Sequence, residues 1–408
     1  MFDLKNTLPE SEKIQNQESK IDYLEGLRGV AAFSVVIHHY LIAFYPAHFT
    51  ADLGQSHLSN HMDVAYATSP FNILTNGNFA VCLFFVLSGY VLSYKYYKTN
   101  TLSTLISMAG RRYIRLMIPA LFTILVGYVF IYTSLFYNKE TVEFTKSDWW
   151  MGYFWDFHPA FGDMLNTGLI KVIFSGNDVY STSMWTLNWE FYGSLFLFSF
   201  LALTHHIRNR RIIYIAVLSI IFLTPNTWAY YGGFILGASL NLILPKYEAI
   251  SNRTYKTILK TAALFFGLLI GSVPSSGLKE DSFYQLLYFD RQAPLTQIFH
   301  VFGAFLLLFF VLISKNTQSF FAHKLSMFLG KISFSMYLIH PLVIGSLSCF
   351  VFLKLKDHYS YNTAASLSIL AGLPVVIIVS YLMSIYVDKP GINLASYVYN
   401  RLFKSEKS

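Results

Sequence analysis

The residues best equipped for chemistry in this chain lie inside apolar helical stretches, where a polar side chain is costly and marks a candidate site. The stretch YLEGLRGVAAFSVVIHHYLIAFY at 23–45 holds Arg28 near one end and a histidine pair, His38 and His39, farther along. Histidine titrates near neutrality and is the usual general base for activating a hydroxyl. At 1.5 Å of rise per residue, the eleven steps from Arg28 to His39 span roughly 16 Å, about half the hydrocarbon core of a bilayer. Adjacent helical residues point about 100° apart, so His38 and His39 cannot both face one site. Read singly, each histidine fits a hydrogen-bonded core role equally well, and Arg28 fits an interfacial anchor whose long side chain snorkels.

Four further stretches carry reactive types. RRYIRLMIP at 111–119 places Arg112 and Arg115 three apart, on one helix face. Guanidinium groups bind phosphate in a bidentate fashion, so the cluster suits a phosphate-bearing cosubstrate as well as a topology signal. MWTLNWEFYGSLF at 184–196 buries Glu190 in an aromatic span, where a carboxylate needs a partner or a proton. Glu190 and His39 are expected at similar depth, where the carboxylate would hold the imidazole tautomer. LGKISFSMYLIHPLV at 329–343 carries Tyr337 and His340, the latter also at the depth of His39, and FFVLSGYVLS at 84–93 carries Ser88 and Gly89. Tyr337, His340 and Ser88 are expected to line the same cavity. The loop residues Trp149, Trp150, Tyr153, Phe154 and Trp155 read as an interfacial aromatic belt or a sugar-stacking surface. There is no P-loop, GxGxxG, HExxH or CxxC pattern, which excludes nucleotide hydrolysis, dinucleotide and zinc readings; no metal and no tightly bound cofactor is expected.

These residues need a membrane scaffold. Of 408 residues, 54% are apolar and 13% charged, with a mean hydropathy of +0.44; soluble domains carry about a quarter charged residues. The sequence predicts an all-α, polytopic transmembrane helix bundle of about ten spans, at 24–45, 78–97, 113–136, 184–204, 211–225, 228–245, 259–274, 297–314, 327–352 and 364–387. With the N-terminus in the cytoplasm, alternation places 23 of the 30 Lys and Arg on the inner side, as the positive-inside rule requires. Both termini are then cytoplasmic. The net charge of +8 is accounted for without nucleic acid. The expected organisation is a polar N-terminal segment at 1–22, a membrane domain at 23–390 and a short tail at 391–408. Cys82 and Cys349 fall inside spans and give no disulfide framework.

Taken together and in order, LEGLRGVAAFSVVIHH, FFVLSGYVLS, RRYIRLMIP, MWTLNWEFYG, LGKISFSMYLIHP and VDKPG at 387–391 resemble the membrane-bound acyltransferase-3 family. Its members transfer acyl groups, often acetyl, to extracytoplasmic carbohydrates. The resemblance implies an acyl-CoA-dependent O-acyltransferase of the inner or plasma membrane of a bacterium, acting on a glycan or glycolipid, with acetyl-CoA as cosubstrate. Its Arg-x10-His spacing selects His39 over His38. It implies acyl-CoA-side roles for Arg28, Arg112 and Arg115 and a reaction centre at His39 and Glu190. Besides acyl-CoA and the acceptor, the expected partners are membrane lipids. A proton-coupled transporter using His39, Glu190 and His340 as a relay, or an acyltransferase for a small molecule such as an antibiotic or lipid, are the alternatives.

Overall fold

The computed structural model describes residues 10–224, 228–276, 282–287 and 292–403. Among them every regular element is helical. The long helices are α1 (Glu10–Phe44), α2 (Gly77–Thr99), α3 (Leu102–Tyr132), α4 (Trp185–Leu203), α5 (Arg210–Leu223), α6 (Ala229–Glu248), α7 (Arg253–Gly271), α8 (Gln292–Ile313), α9 (Lys324–Val343), α10 (Tyr361–Met383) and α11 (Lys389–Phe403). Each of the ten expected spans overlaps one of α1 to α10 within the described residues. Six segments among the described residues are long and apolar enough to cross a membrane: Asp22–Phe44, Gly77–Thr99, Leu102–Tyr132, Leu295–Ile313, Lys324–Leu355 and Tyr361–Phe403. Of the remaining α4, α5, α6 and α7, two differ for visible reasons. α5 has only 14 residues, and α7 opens with Arg253, Lys256 and Lys260 in its first two turns. Of the basic residues that orient the chain, Lys5, Lys279, Arg291, Lys404 and Lys407 lie outside the described residues, as does 1–9 of the polar N-terminal segment.

Residues 391–403, expected as a tail, are helical. The sequence KPGINLASYVYNRLF is amphipathic, and it buries Gly391, Ala395 and Tyr399 while leaving Leu394, Tyr397 and Leu402 exposed. Tyr399 lies over Gly110 of α3. A sequence that buries one face in this way folds as part of the bundle.

Helix packing is set by small residues, as expected where lipid supplies no hydrophobic drive between helices. α1 and α9 make the most extensive helix contact among the described residues. They touch backbone to backbone at two glycines. A Cβ on Gly29 would fall 2.2 Å from the Gly330 nitrogen, and one on Gly330 would fall 2.3 Å from the Glu25 carbonyl oxygen. Many apolar side chains on the outer faces are exposed, among them Leu125, Val129, Ile215, Phe265, Leu370 and Ile378. Apolar surface on this scale suits contact with lipid.

The bundle has two unlike ends. At one, the segments 45–76 and 133–184 fold over the helix ends: His57 Nε2 meets the Thr145 carbonyl at 3.0 Å, and the Trp155 Nε1–H donates to the Tyr180 carbonyl at 3.1 Å. Tyr361 hydroxyl donates to the last carbonyl of α1, that of Phe44. At the other end lie the start of α1, the 314–324 connection, and α11.

α9 contains His340-Pro341. A proline inside a helix cannot donate to the carbonyl four residues back, here Tyr337. The Ser183 hydroxyl takes that place at 2.7 Å, and the Ser181 hydroxyl donates to the next carbonyl, Leu338, at 2.9 Å. The Ser-Thr-Ser segment before α4 thus satisfies the backbone that the proline frees. Beyond Val343 the helix widens into a π-turn at Ile344–Ser348, and a second π-turn at Ser384–Asp388 joins α10 to α11.

Gly330→Val is expected to destabilise the protein by about 1–3 kcal/mol, because the atoms it meets are backbone and cannot swing aside. Gly162, with nothing near its missing Cβ, is the control, and Gly162→Ala should leave the thermal midpoint in detergent almost unchanged. Equal midpoints for the two variants would contradict the tight crossing.

Candidate active site

A cavity of about 370 Å³ opens among α1, α2, α3, α4, α9 and the α10–α11 junction. Its lining follows helical periodicity: Phe84, Phe85 and Ser88 from α2, Arg112 and Arg115 from α3, Thr186 and Glu190 from α4, and Lys331, Phe334 and Tyr337 from α9. The π-turn before α11 delivers Ser384 and Asp388, and Lys389 and Ile392 follow from α11. An extra residue in the turn rotates the helix that follows, and π-turns recur at functional sites for this reason. Six of the eight residues singled out in the sequence meet here: Arg28, Arg112, Arg115, Glu190, Ser88 and Tyr337.

The cavity is cationic. Arg28, Arg112, Arg115, Lys331 and Lys389 face Glu25, Glu190 and Asp388. Arg112 is the anchored member. It pairs with Glu190 through one terminal nitrogen and donates through Nε to the Ser194 hydroxyl at 2.9 Å. The Ser88 hydroxyl donates to the same Glu190 oxygen at 3.0 Å. Arg28 and Arg115 share the cavity wall with Glu25 and Asp388. Their guanidinium groups remain on the cavity wall, available to an anionic group.

His39 lies beyond the cavity, at the loop-covered end of α1. Its Nδ1 stands 2.9 Å from Nε2 of His340 and 3.1 Å from the Val35 carbonyl oxygen. His340 is fully buried, with Nδ1 2.9 Å from the Met336 carbonyl oxygen. Trp150 stacks on His39, ring centroids 5.2 Å apart and 24° from parallel. The link to the cavity is aromatic: Phe84 meets Tyr337 edge-on at 5.9 Å, and Tyr337 lies 6.2 Å from His340. His38 points elsewhere. It packs on Phe49 and on Gly77, where a Cβ would come within 2.4 Å of its ring.

Two expectations are corrected by this geometry. Glu190 does not orient His39; it is held by Arg112 and Ser88, and His39 is held by His340. Helical rise says nothing about which way a helix faces: α4 turns Glu190 toward α2 and α3, into the cavity that His39 lies beyond. His340 is not on the cavity wall. It sits one turn past Tyr337, on the part of α9 that faces α1.

Sequence reasoning read Trp150 only as part of an aromatic belt or a sugar-stacking surface, and did not assign Lys331, Asp388 and Lys389 to the site. The last three lie within the stretches LGKISFSMYLIHP and VDKPG, and Lys331 shares a helix face with Phe334 and Tyr337, so periodicity was a usable signal. Trp150 had none. It lies in a long loop, and its neighbours Trp149 and Trp155 stack on Phe49 and Phe136 instead.

The acyltransferase-3 family model, described as an acyltransferase domain, matches residues 21–385. The chain belongs to this family. Its enzyme class follows, and the transporter reading falls away. Among curated proteins the chain is similar to O-acetyltransferase PaAT-1 of Phomopsis amygdali, 25% identical over 94% of this chain and 86% of that protein. No solved structure matches it.

Two outcomes are expected from the charges. Removing one partner of a buried ion pair leaves the other uncompensated, so Arg112→Met should cost about 3–5 kcal/mol of stability, and Arg112→Met with Glu190→Gln should recover a large part of it. A double variant as unstable as the sum of the singles would contradict the pairing. In the loop before α4, burial pushes the Asp178 carboxyl up from 3.8 to about 6. A raised carboxyl favours the folded state most below its unfolded value, and that contribution is lost as pH rises through about 6. Asp178→Asn should therefore raise the thermal midpoint at pH 8 and flatten its decline between pH 4 and 7.

Proposed function

We propose that this protein is an integral membrane O-acyltransferase that moves an acyl group, acetyl above all, from cytoplasmic acyl-CoA to a hydroxyl of an extracytoplasmic glycan or glycolipid. The observation that carries the reading is a phosphate-friendly cationic cavity lying next to a histidine pair, inside a member of an acyltransferase family. In this reading all ten helices α1 to α10 cross the membrane and both termini are cytoplasmic, supported by 23 of 30 basic residues on that side. The host membrane is the inner or plasma membrane of a bacterium. The name of the relative in Phomopsis amygdali supports acetyl as the group transferred.

The division of labour follows from position. Arg28, Arg115, Lys331 and Lys389 take the phosphates of the donor, while Glu190 and Ser88 hold Arg112 in place beside them. The acyl end of the donor reaches past Phe84 and Tyr337 toward His39. His39 takes the proton of the acceptor hydroxyl at Nε2 as the oxygen attacks the thioester carbon. The C–S bond breaks, the acyl group passes to oxygen, and the sulfur leaves as thiolate to take up the proton. Trp150 covers the imidazole from the loop side and limits access of water.

Protein in proteoliposomes, supplied with labelled acetyl-CoA and envelope glycolipid extract, should release CoA in an acceptor-dependent way. His39→Ala should lower that rate on the order of 100-fold or more. Arg115→Ala should raise KM for acetyl-CoA roughly 10-fold with a smaller change in kcat, as for a residue that binds substrate and transition state alike. Wild-type rates with His39→Ala would overturn the assignment. Envelope glycans from cells with and without the active protein should differ by the mass of acetyl groups.

A further inference from the structure

The contacts around His39 and His340 fix which ring nitrogens carry hydrogen. Carbonyl oxygens only accept, so the 2.9 Å contact between His340 Nδ1 and the Met336 carbonyl places a hydrogen on Nδ1 of His340. Neutral His340 then presents a bare Nε2. That nitrogen lies 2.9 Å from Nδ1 of His39, which is itself 3.1 Å from the Val35 carbonyl. Both neighbours of His39 Nδ1 are acceptors, so its hydrogen also sits on Nδ1, shared between them. The bare nitrogen of His39 is therefore Nε2.

We propose that His340 is a positioning residue that locks His39 in its Nδ1–H tautomer and stabilises the imidazolium formed when Nε2 takes a proton. This rests on His39 as the base. A carboxylate does the same work in serine hydrolase triads. A buried neutral imidazole does it here without placing a second charge in the membrane interior. The support behind His340 is unusually complete. The carbonyls of Met336, Tyr337 and Leu338 are each engaged by a side chain, from His340, Ser183 and Ser181 respectively. Trp150 holds the His39 ring by stacking. The tautomer is thus set by a rigid second layer rather than by solvent.

Glutamine and asparagine at position 340 separate this role from packing. The amide oxygen of Gln reaches the place of Nε2 and can accept from His39, whereas that of Asn reaches only the place of Nδ1. In the proteoliposome assay His340→Asn should lower kcat on the order of 100-fold or more, with KM for acetyl-CoA within about twofold. His340→Gln should retain at least tenfold more activity than His340→Asn. Nitrogen-15 spectra of histidine-labelled protein in detergent should give a pure Nδ1–H tautomer for His39 in the wild type, and mixed tautomers in His340→Asn. Equal kcat for the Gln and Asn variants, or an Nε2–H tautomer in the wild type, would overturn the proposal. If the Asn variant fails to fold, the wild-type spectrum alone decides it. An active His39→Ala variant would instead remove the base itself, so the two failures are distinguishable.

Discussion

The backbone contact between α1 and α9 is the constraint on which the rest of the structure depends. Gly29 and Gly330 let the two helices approach until main-chain atoms touch, a distance no side chain at either position would permit. One helix carries Arg28 and His39, and the other carries Lys331, Tyr337 and His340. Their crossing brings the two histidines within hydrogen-bonding distance at one end. At the other end it sets the floor of the cationic cavity. In lipid, where apolar surface gives no preference for one helix neighbour over another, such steric fit is what selects partners.

A second constraint is electrical. Three arginines and two lysines within one membrane-domain cavity would be prohibitively costly without counter-charges and a path to water. The structure meets this with Glu190 on Arg112, with Glu25 and Asp388 on the wall that carries Arg28 and Arg115, and with a cavity into which the charges open. The result leaves donors free for an anionic ligand. The same economy explains the histidine pair. Two imidazoles stand 2.9 Å apart where a carboxylate and an imidazole would have needed compensation.

Proline and the π-turns show how local irregularity serves the site. Pro341 removes a donor directly beside His340, and the hydroxyls of Ser181 and Ser183 make up the loss. The π-turn at Ser384–Asp388 rotates the helix so that Asp388 and Lys389 enter the cavity. In each case a break in regular backbone lies beside a polar side chain of the site.

Sequence by itself determined the all-helical membrane class and the family, because span length and the order of motifs are one-dimensional quantities. It also determined that Arg112 and Arg115 share a face, and that Tyr337 and His340 lie a turn apart. Tertiary structure alone decided who meets whom. Rotation of α4 about its axis gave Glu190 to Arg112 and away from His39. The α1–α9 crossing gave His340 to His39, and a 52-residue connection between α3 and α4 brought Trp150 back over the imidazole. Such pairings depend on the angular setting of each helix and on long-range loop closure, and neither leaves a periodic trace in the chain.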